Sequence, residues 1–132
     1  MEEALLARLR ANGPLAALVG NRIDWGERPA GDPLPGLVLR AVSAGRSYAQ
    51  EGADGLSAPR IRATCWGRSY KEAKLISRAL EAAITPPLVV GGIAFQQSFL
   101  ALAVDQDPED VPGGQRAFSV ISDFIVWWRA TS

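Results

Sequence analysis

Several side chains with possible chemical roles fall close together in the stretch ATCWGRSYKEAK, residues 63–74. Cys65 and Ser69 are possible nucleophiles, and Lys71 is a possible Schiff-base lysine. A thiol or hydroxyl becomes reactive when a base or a cation lies beside it, and the chain contains no histidine to act as that base. Cys65 is also in phase with the apolar positions before it, which predicts a small buried core residue. We therefore expect no catalytic residue here.

The same stretch has the features of a junction between a strand and a helix. Residues 60–66 (RIRATCW) alternate in polarity, as a strand with one buried face does. Ser69 followed by Glu72 forms the S-x-x-E pattern that caps the start of a helix. Lys71 and Lys74 then fall on the polar half of that helix. The apolar stripe that we expect to be buried consists of Ala73, Ile76, Leu80 and Ile84.

The composition excludes several classes of site. The chain has 132 residues, so we expect a single domain over 1–132. One cysteine cannot form an internal disulfide, and without histidine the usual triads, zinc sites and haem sites are excluded. Fourteen basic residues balance fourteen acidic ones, so no overall charge favours nucleic acid or a membrane. The acidic N-terminus and the lack of an apolar run of ~20 residues predict a soluble protein. With its single cysteine we expect the chain to be made in a reducing compartment, and we expect no cofactor.

Apolar periodicity and chain-breaking residues predict an α+β fold. Helices are expected at 2–11, at 14–20 and from Ser69 onward, and strands at 23–25, 37–42, 60–66, 92–104 and 116–130. No βαβ rhythm is present, so we predict an antiparallel or mixed β-sheet with the helices packed mainly on one face. The polar stretch 43–59 is too long for a simple connection and is interpreted as a long hairpin arm.

Four carboxylates follow one another closely at Asp105, Asp107, Glu109 and Asp110. A calcium loop that began at Asp105 would need glycine where Asp110 stands and glutamate where Arg116 stands. The surrounding proline and glycine residues indicate an exposed loop over 105–115. We therefore expect a solvated acidic loop and no metal site.

Arginines could form a stripe on the outer face of the predicted sheet. Arg40, Arg60 and Arg62 fall on outward positions of neighbouring strands, and Arg68 and Trp66 stand near them. Such a stripe could contact phosphates of a nucleic acid. It could equally pair with carboxylates of another subunit, and the balanced total charge favours this second interpretation.

Motifs along nearly the whole chain resemble one known family. They are LVGNRI, PAGDPLPGLVL, VSAGRSY with GADG, RIRATCWGRSYKEAKLISRALEAAI and SDFIVWWR, in that order. In these motifs the sequence, from about Leu5 to Arg129, is similar to the tail completion, or tail terminator, proteins of long-tailed (siphovirus-like) bacteriophages, prophages and gene transfer agents. The most specific segments are CWG at 65–67 with SY at 69–70, and DF at 123–124.

The resemblance implies a structural virion component and not an enzyme. Members resemble a small α+β protomer that forms a ring, typically a hexamer, at the head-proximal end of the tail tube. The ring ends tube growth and joins the tail to the head. The implied partners are other copies of the chain, the tail tube protein and the head-side connector or stopper protein. DNA would pass transiently through the centre, and no membrane is involved. The implied location is the virion tail, assembled in the bacterial host cytoplasm.

A ring needs two different contact patches on each subunit. The loop 25–35 and the arm 46–57 are our candidates, because both are long and carry aromatic and arginine side chains that interfaces favour. The candidate interface residues are Trp25, Leu34, Arg46, Tyr48, Glu51, Asp54, Arg60, Arg62 and Trp66. We expect Trp25, Leu34 and Tyr48 to be exposed unless an interface covers them. The four carboxylates at 105–110 are candidates for facing a partner ring or the lumen.

Three other functions compete with the ring. The chain could be another head–tail connector component, such as a stopper or adaptor. It could be a nucleic-acid-binding module that uses the arginine face, which predicts binding that weakens steeply with salt. A small enzyme is the third alternative, and the lack of proton-transferring side chains disfavours it.

Overall fold

Three helices and nine strands form the part of the chain that the computed structural model describes, residues 1–29, 33–42, 56–110 and 116–131. The helices are α1 (Glu2–Arg10), α2 (Gly13–Val19) and α3 (Tyr70–Ile84). The strands are β1 (Ile23–Trp25), β2 (Gly36–Ala41), β3 (Arg60–Gly67), β4 (Leu88–Val90), β5 (Ile93–Phe95), β6 (Phe99–Asp105), β7 (Glu109–Asp110), β8 (Arg116–Ile125) and β9 (Trp128–Ala130). The predicted α+β class is confirmed. Most of the predicted arm lies outside the described residues.

The larger sheet is mixed, with the strand order β1-β2-β3-β8-β6 and with β7 also paired to β8. Strands β1 and β2 run parallel, and the other pairs are antiparallel. Because β3 and β8 lie at the centre, Cys65 faces Leu37 on one side and Val120 on the other. Strand β6 forms one edge of this sheet, opposite to the edge formed by β1.

The second sheet is small and was not predicted. It has the order β9-β5-β4, and β4 and β5 are joined through Gly91 and Gly92. Both glycines have positive φ, 54° and 84°, which side chains disfavour and which suits a two-residue hairpin turn.

Two strands that we predicted as continuous are each divided between the sheets, so these two predictions were wrong. The segment 92–104 breaks at Gln96–Ser98, where the Ser98 amide donates to the Thr85 carbonyl at the end of α3. The segment 116–130 breaks at Val126 and Trp127, where the Val126 amide donates to the Pro59 carbonyl and the Trp127 carbonyl accepts from Gln96. At each break the backbone hydrogen bonds go to a segment outside the strand's own sheet partner. The apolar periodicity of the sequence does not show such a change of partner.

The core lies between the helices and one face of the larger sheet. Helix α3 places Ala73, Ile76, Leu80 and Ile84 in the interior, as its apolar stripe predicts. These side chains meet buried residues of α1, α2, the central strands and β5, and the largest of them are Phe95 on β5 and Phe124 on β8. The core members on β2, β3 and β8 alternate along each strand, so they share one face and leave the other face outward.

Local contacts explain where the helices begin and how they are anchored. The Asn12 side chain accepts from the Leu15 amide at 3.0 Å and caps α2. The buried Arg8 of α1 donates to the Pro86 carbonyl and lies over the Phe95 ring, with 5.3 Å from its Cζ to the ring centroid. This arginine therefore connects α1 to the segment after α3. Among the described residues no helix is both long and apolar enough to cross a membrane.

Candidate assembly surface

The junction between β3 and α3 is structural, as the sequence predicts. Cys65 is fully buried, and burial raises the pKa of its thiol to about 12, so the nucleophilic thiolate is scarce near neutral pH. The Ser69 hydroxyl accepts from the Glu72 amide at 3.1 Å and caps α3. In a capping box the Glu72 carboxylate would accept from the amide of Ser69. Here it accepts instead from the amide and the guanidinium of Arg68, one residue earlier. Lys71 is exposed on the outer side of the helix.

The outer face of the sheet contains a buried carboxylate held by two arginines. The Asp123 side chain has no exposed surface, and its Oδ1 lies 2.8 Å from Arg62 Nε while its Oδ2 lies 2.9 Å from Arg60 Nε. Arg62 Nη2 adds a third hydrogen bond at 3.0 Å. The hydrogen bonds from Arg62 and then Arg60 lower the pKa of Asp123, against the opposing effect of desolvation. Two of the predicted interface arginines therefore have their carboxylate within the same chain.

The rest of the predicted arginine stripe is also partly engaged. Arg40 lies opposite Arg62 in the β2–β3 ladder and is exposed. Arg68 pairs with Glu72 at 2.9 Å. The Arg28 guanidinium lies over the ring of Trp66, with 5.7 Å between Cζ and the ring centroid. Because several of these cations have intrachain partners, a continuous phosphate-binding stripe gains no support from the geometry.

Two predicted interface residues are not exposed as we expected. Leu34 retains only 9% of its exposure, and Trp25 is partly buried against the hydrophobic core. Trp25 is the last residue of β1, and Leu34 lies two residues before β2. The prediction that Leu34 is exposed unless an interface covers it was wrong, whereas Trp25 keeps part of its exposure. Arg46, Tyr48, Glu51 and Asp54 lie outside the described residues.

The acidic segment is exposed but is not entirely a loop. Asp105 ends β6 and pairs with Lys74 of α3 at 2.7 Å, and Asp107 is exposed. Glu109 and Asp110 form β7 against the start of β8, which corrects the prediction of an irregular loop at these two residues. No group of three or more potential ligands that could hold a metal ion occurs among the described residues.

Comparisons with known proteins identify the family. The sequence matches the family described as tail completion protein gp17 over residues 3–128. The chain belongs to this family. Its structure is similar to a chain of the virion of a native gene transfer agent particle, with a TM-score of 0.61 and 20% identity over 96% of this chain and 94% of that one. Another solved protein is similar with a TM-score of 0.52 and 12% identity, over 96% and 95% of the two chains. No curated protein matches in sequence.

Membership of the tail completion family gives the chain a structural role in a phage-like tail. Such a role depends on surfaces that meet other proteins. In this tail completion protein, large apolar side chains are exposed on two strands, which sequence analysis missed. They are Leu88 and Val89 on β4, and Phe99, Leu100, Leu102 and Val104 on β6.

The sequence contains a signal for this surface that we did not use. The segment FLALAV is apolar at every position, which is typical of a strand buried on both faces. In the structure this segment forms the first six residues of β6, and all seven residues of the strand are exposed at the edge of the sheet. A strand with the composition of a central strand, located at an edge, indicates a surface that another protein covers.

Proposed function

We propose that this chain caps the head-proximal end of a tail tube as a homo-oligomeric ring, a hexamer. The ring ends tube polymerisation and connects the tail to the head, and DNA passes through its centre. The observation that carries this proposal is the match to the tail completion family over residues 3–128. The likeness in fold to a chain from the virion of a gene transfer agent particle supports it, because that chain is also a virion component.

The site geometry supports a structural and not a catalytic function. The thiol that the sequence offers as a nucleophile is buried with a raised pKa, and the nearby serine hydroxyl caps a helix. The exposed apolar residues of β6 instead favour contact with other subunits. In a ring each subunit uses two different patches, and every copy contacts two neighbours.

Assembly and tube termination can be tested together. The purified chain is measured by light scattering, alone and mixed with its tail tube protein, and particles are imaged as class averages. We expect a closed ring of six copies and a cap at one end of each tube. Tube protein polymerised with an unrelated protein of similar size is the control, and it should give longer tubes. A chain that stays monomeric in both mixtures and leaves tube length unchanged would refute the proposal.

Adding the head-side connector protein to these mixtures tests the alternative that the chain is a stopper or adaptor. A stopper or adaptor would bind a head-side connector and leave the tube uncapped. Binding to the connector without any effect on tube length would therefore favour the alternative over a tail terminator.

A further inference from the structure

Among the described residues, strand β6 has an open edge with little of the usual protection of edge strands. It is seven residues long, contains neither proline nor lysine, and pairs with β8 alone in the part of the chain that the structure describes. Its one irregularity there is a register shift between Leu100 and Leu102. Proteins usually shorten such edges or add lysine, proline or inward-pointing charges. Four large apolar side chains project from β6 on both sides of the sheet, with exposures of 54% at Phe99, 39% at Leu100, 37% at Leu102 and 42% at Val104.

The hydrogen-bond phase of β6 shows which amides face outward. The Gln106 amide donates to the Ser119 carbonyl at 3.0 Å, in register with the ladder that pairs Val104 with Ile121. In an antiparallel ladder, the backbone amides and carbonyls of residues two apart point to the same neighbouring strand. The backbone groups of Val104 and Leu102 therefore face β8, as those of Gln106 do. The amides of Ala103 and Asp105 therefore point away from β8, and no strand among the described residues pairs with them.

Charge distinguishes the two edges of the larger sheet. Near the edge at β6 the described residues include four carboxylates, from Asp105 to Asp110, against Lys74 and Arg116. On or beside β1 and β2 the described residues include four arginines against two carboxylates, and these six are Arg10, Arg22, Arg28, Arg40, Asp24 and Glu27. A neutral chain with one acidic and one basic edge is complementary to its own copy placed side by side in the same orientation.

We infer that the open edge of β6 is the surface at which a second copy of this chain adds in the head-to-tail sense. The neighbour supplies an extended segment that hydrogen-bonds to the outward amides of β6 and covers its apolar side chains. This is strand addition, in which backbone bonds give affinity and side chains on both faces give specificity. The inference rests on the proposed self-association and assigns that self-association to the edge of β6. A pairing of two β6 edges with each other would instead close at two copies.

Two variants test the side-chain and backbone parts separately. Leu102→Lys places a charge on the patch at a position that is already 37% exposed, so the fold should be kept. Ala103→Pro removes one outward amide and leaves the bonds to β8 in place, since proline is tolerated on the open side of an edge strand. The matched control for the first is Leu75→Lys, because Leu75 is 41% exposed and lies on helix α3 instead of a strand. The control for the second is Ala103→Thr, which keeps the amide.

Self-association is measured by analytical ultracentrifugation, with the tail tube protein present and absent, and circular dichroism reports folding. We expect at least about tenfold weaker association for Leu102→Lys and for Ala103→Pro, with both controls unchanged. Hydrogen exchange should show the amides of Ala103 and Asp105 protected in the assembled wild type and unprotected in monomeric Leu102→Lys. This second measurement applies even if the proline variant fails to fold.

The outcomes separate this inference from the proposed function. A wild type that forms rings while Leu102→Lys assembles equally well, or while the two amides exchange freely in the ring, overturns the assignment of β6 and leaves the ring intact. Assembly that stops at a dimer overturns the head-to-tail sense. A wild type that remains monomeric under both conditions overturns the proposed function itself.

Discussion

Asp123 is the residue where burial and charge act most directly on stability. Its carboxylate is fully buried and accepts three hydrogen bonds from Arg60 and Arg62. We predict that Asp123→Asn lowers the free energy of unfolding by about 2–3 kcal/mol at pH 7, because charged hydrogen bonds are lost from a buried group. Urea denaturation measures this change. Asp110→Asn is the control, since Asp110 is 93% exposed in its ion pair and should change stability by less than about 1 kcal/mol.

The Asp123 interaction should also depend on pH. The arginines lower the pKa of Asp123 in the folded chain. The unfolded chain therefore takes up a proton at a higher pH than the folded chain, and the stabilisation is complete above the ordinary pKa of about 3.9 and falls as the pH drops through the lowered folded value. We predict that the difference between wild type and Asp123→Asn shrinks from pH 4 downward. A difference that stays constant to pH 2 would contradict the role of this carboxylate.

Cys65 gives a second prediction at the same scale. Because its thiol is buried and its pKa is raised to about 12, we predict no reaction with a disulfide reagent at pH 8 in the native protein. Full reaction should follow once urea unfolds the chain. The absorbance of the thiolate that the reagent releases measures the reaction of the native and of the unfolded protein. Native labelling at the rate of an exposed thiol would show that Cys65 is accessible and would reopen the question of a catalytic role.

At the scale of elements, the junction between β3 and α3 depends on Gly67. A β-carbon at this residue would lie 2.7 Å from the amide nitrogen of Ala73 and 3.0 Å from the carbonyl oxygen of Ser69, and backbone atoms cannot easily move away. We predict that Gly67→Ala lowers the free energy of unfolding by about 1–3 kcal/mol, as overpacking does. Thermal or urea denaturation measures the change.

The control for Gly67 is Gly13→Ala at the start of α2. A β-carbon at Gly13 meets no atom within 4 Å, so this substitution should leave stability unchanged or raise it by less than about 1 kcal/mol. Equal losses for the two alanine variants would show that the close approach at Gly67 does not limit stability. In the sequence this junction contains possible nucleophiles, but in the structure its main requirement is a residue without a β-carbon at Gly67.

Most elements could be predicted from local patterns, and the errors have a common cause. The alternation of residues 60–66 and the apolar stripe of α3 depend on periodicity within one element, and both were predicted correctly. The break at Gln96–Ser98 depends on a hydrogen bond to Thr85, which a local pattern does not contain. The same limit applies to the site, since the pairing of Asp123 with Arg60 and Arg62 joins two strands more than 60 residues apart in sequence.

The exposed strand β6 shows a different limit of sequence reasoning. Its uniform apolar composition is typical of a strand buried on both faces, whereas β6 is exposed in the single chain. Our proposal that a second copy covers β6 would account for this difference. A sequence encodes the assembled state as well as the single chain. Residues that contradict the fold of the isolated chain are therefore the ones to examine for assembly contacts.

At the scale of the whole molecule, the balance of charge determines how the chain interacts with DNA. The ring that we propose would have to let DNA pass without retaining it, and the formal net charge of zero suits that proposal. Arg60 and Arg62 are two of the arginines on which the nucleic-acid interpretation depends. Their positive charges are partly neutralised because both side chains pair with Asp123. We predict no measurable binding to duplex DNA by fluorescence anisotropy at about 50 mM salt.

A variant with a neutralised acidic segment tests the physical reason for that prediction. Asp107→Asn, Glu109→Gln and Asp110→Asn remove three exposed negative charges while keeping the side-chain shapes. This triple variant should gain weak DNA binding that disappears steeply as salt rises, because long-range repulsion is removed and no specific contact is added. If instead the wild type binds DNA with a steep salt dependence, the arginine face acts despite Asp123 and the nucleic-acid-binding alternative is favoured. If neither protein binds, the carboxylates do not act by repelling DNA, and contact with a partner ring or with the neighbouring copy becomes their remaining predicted role.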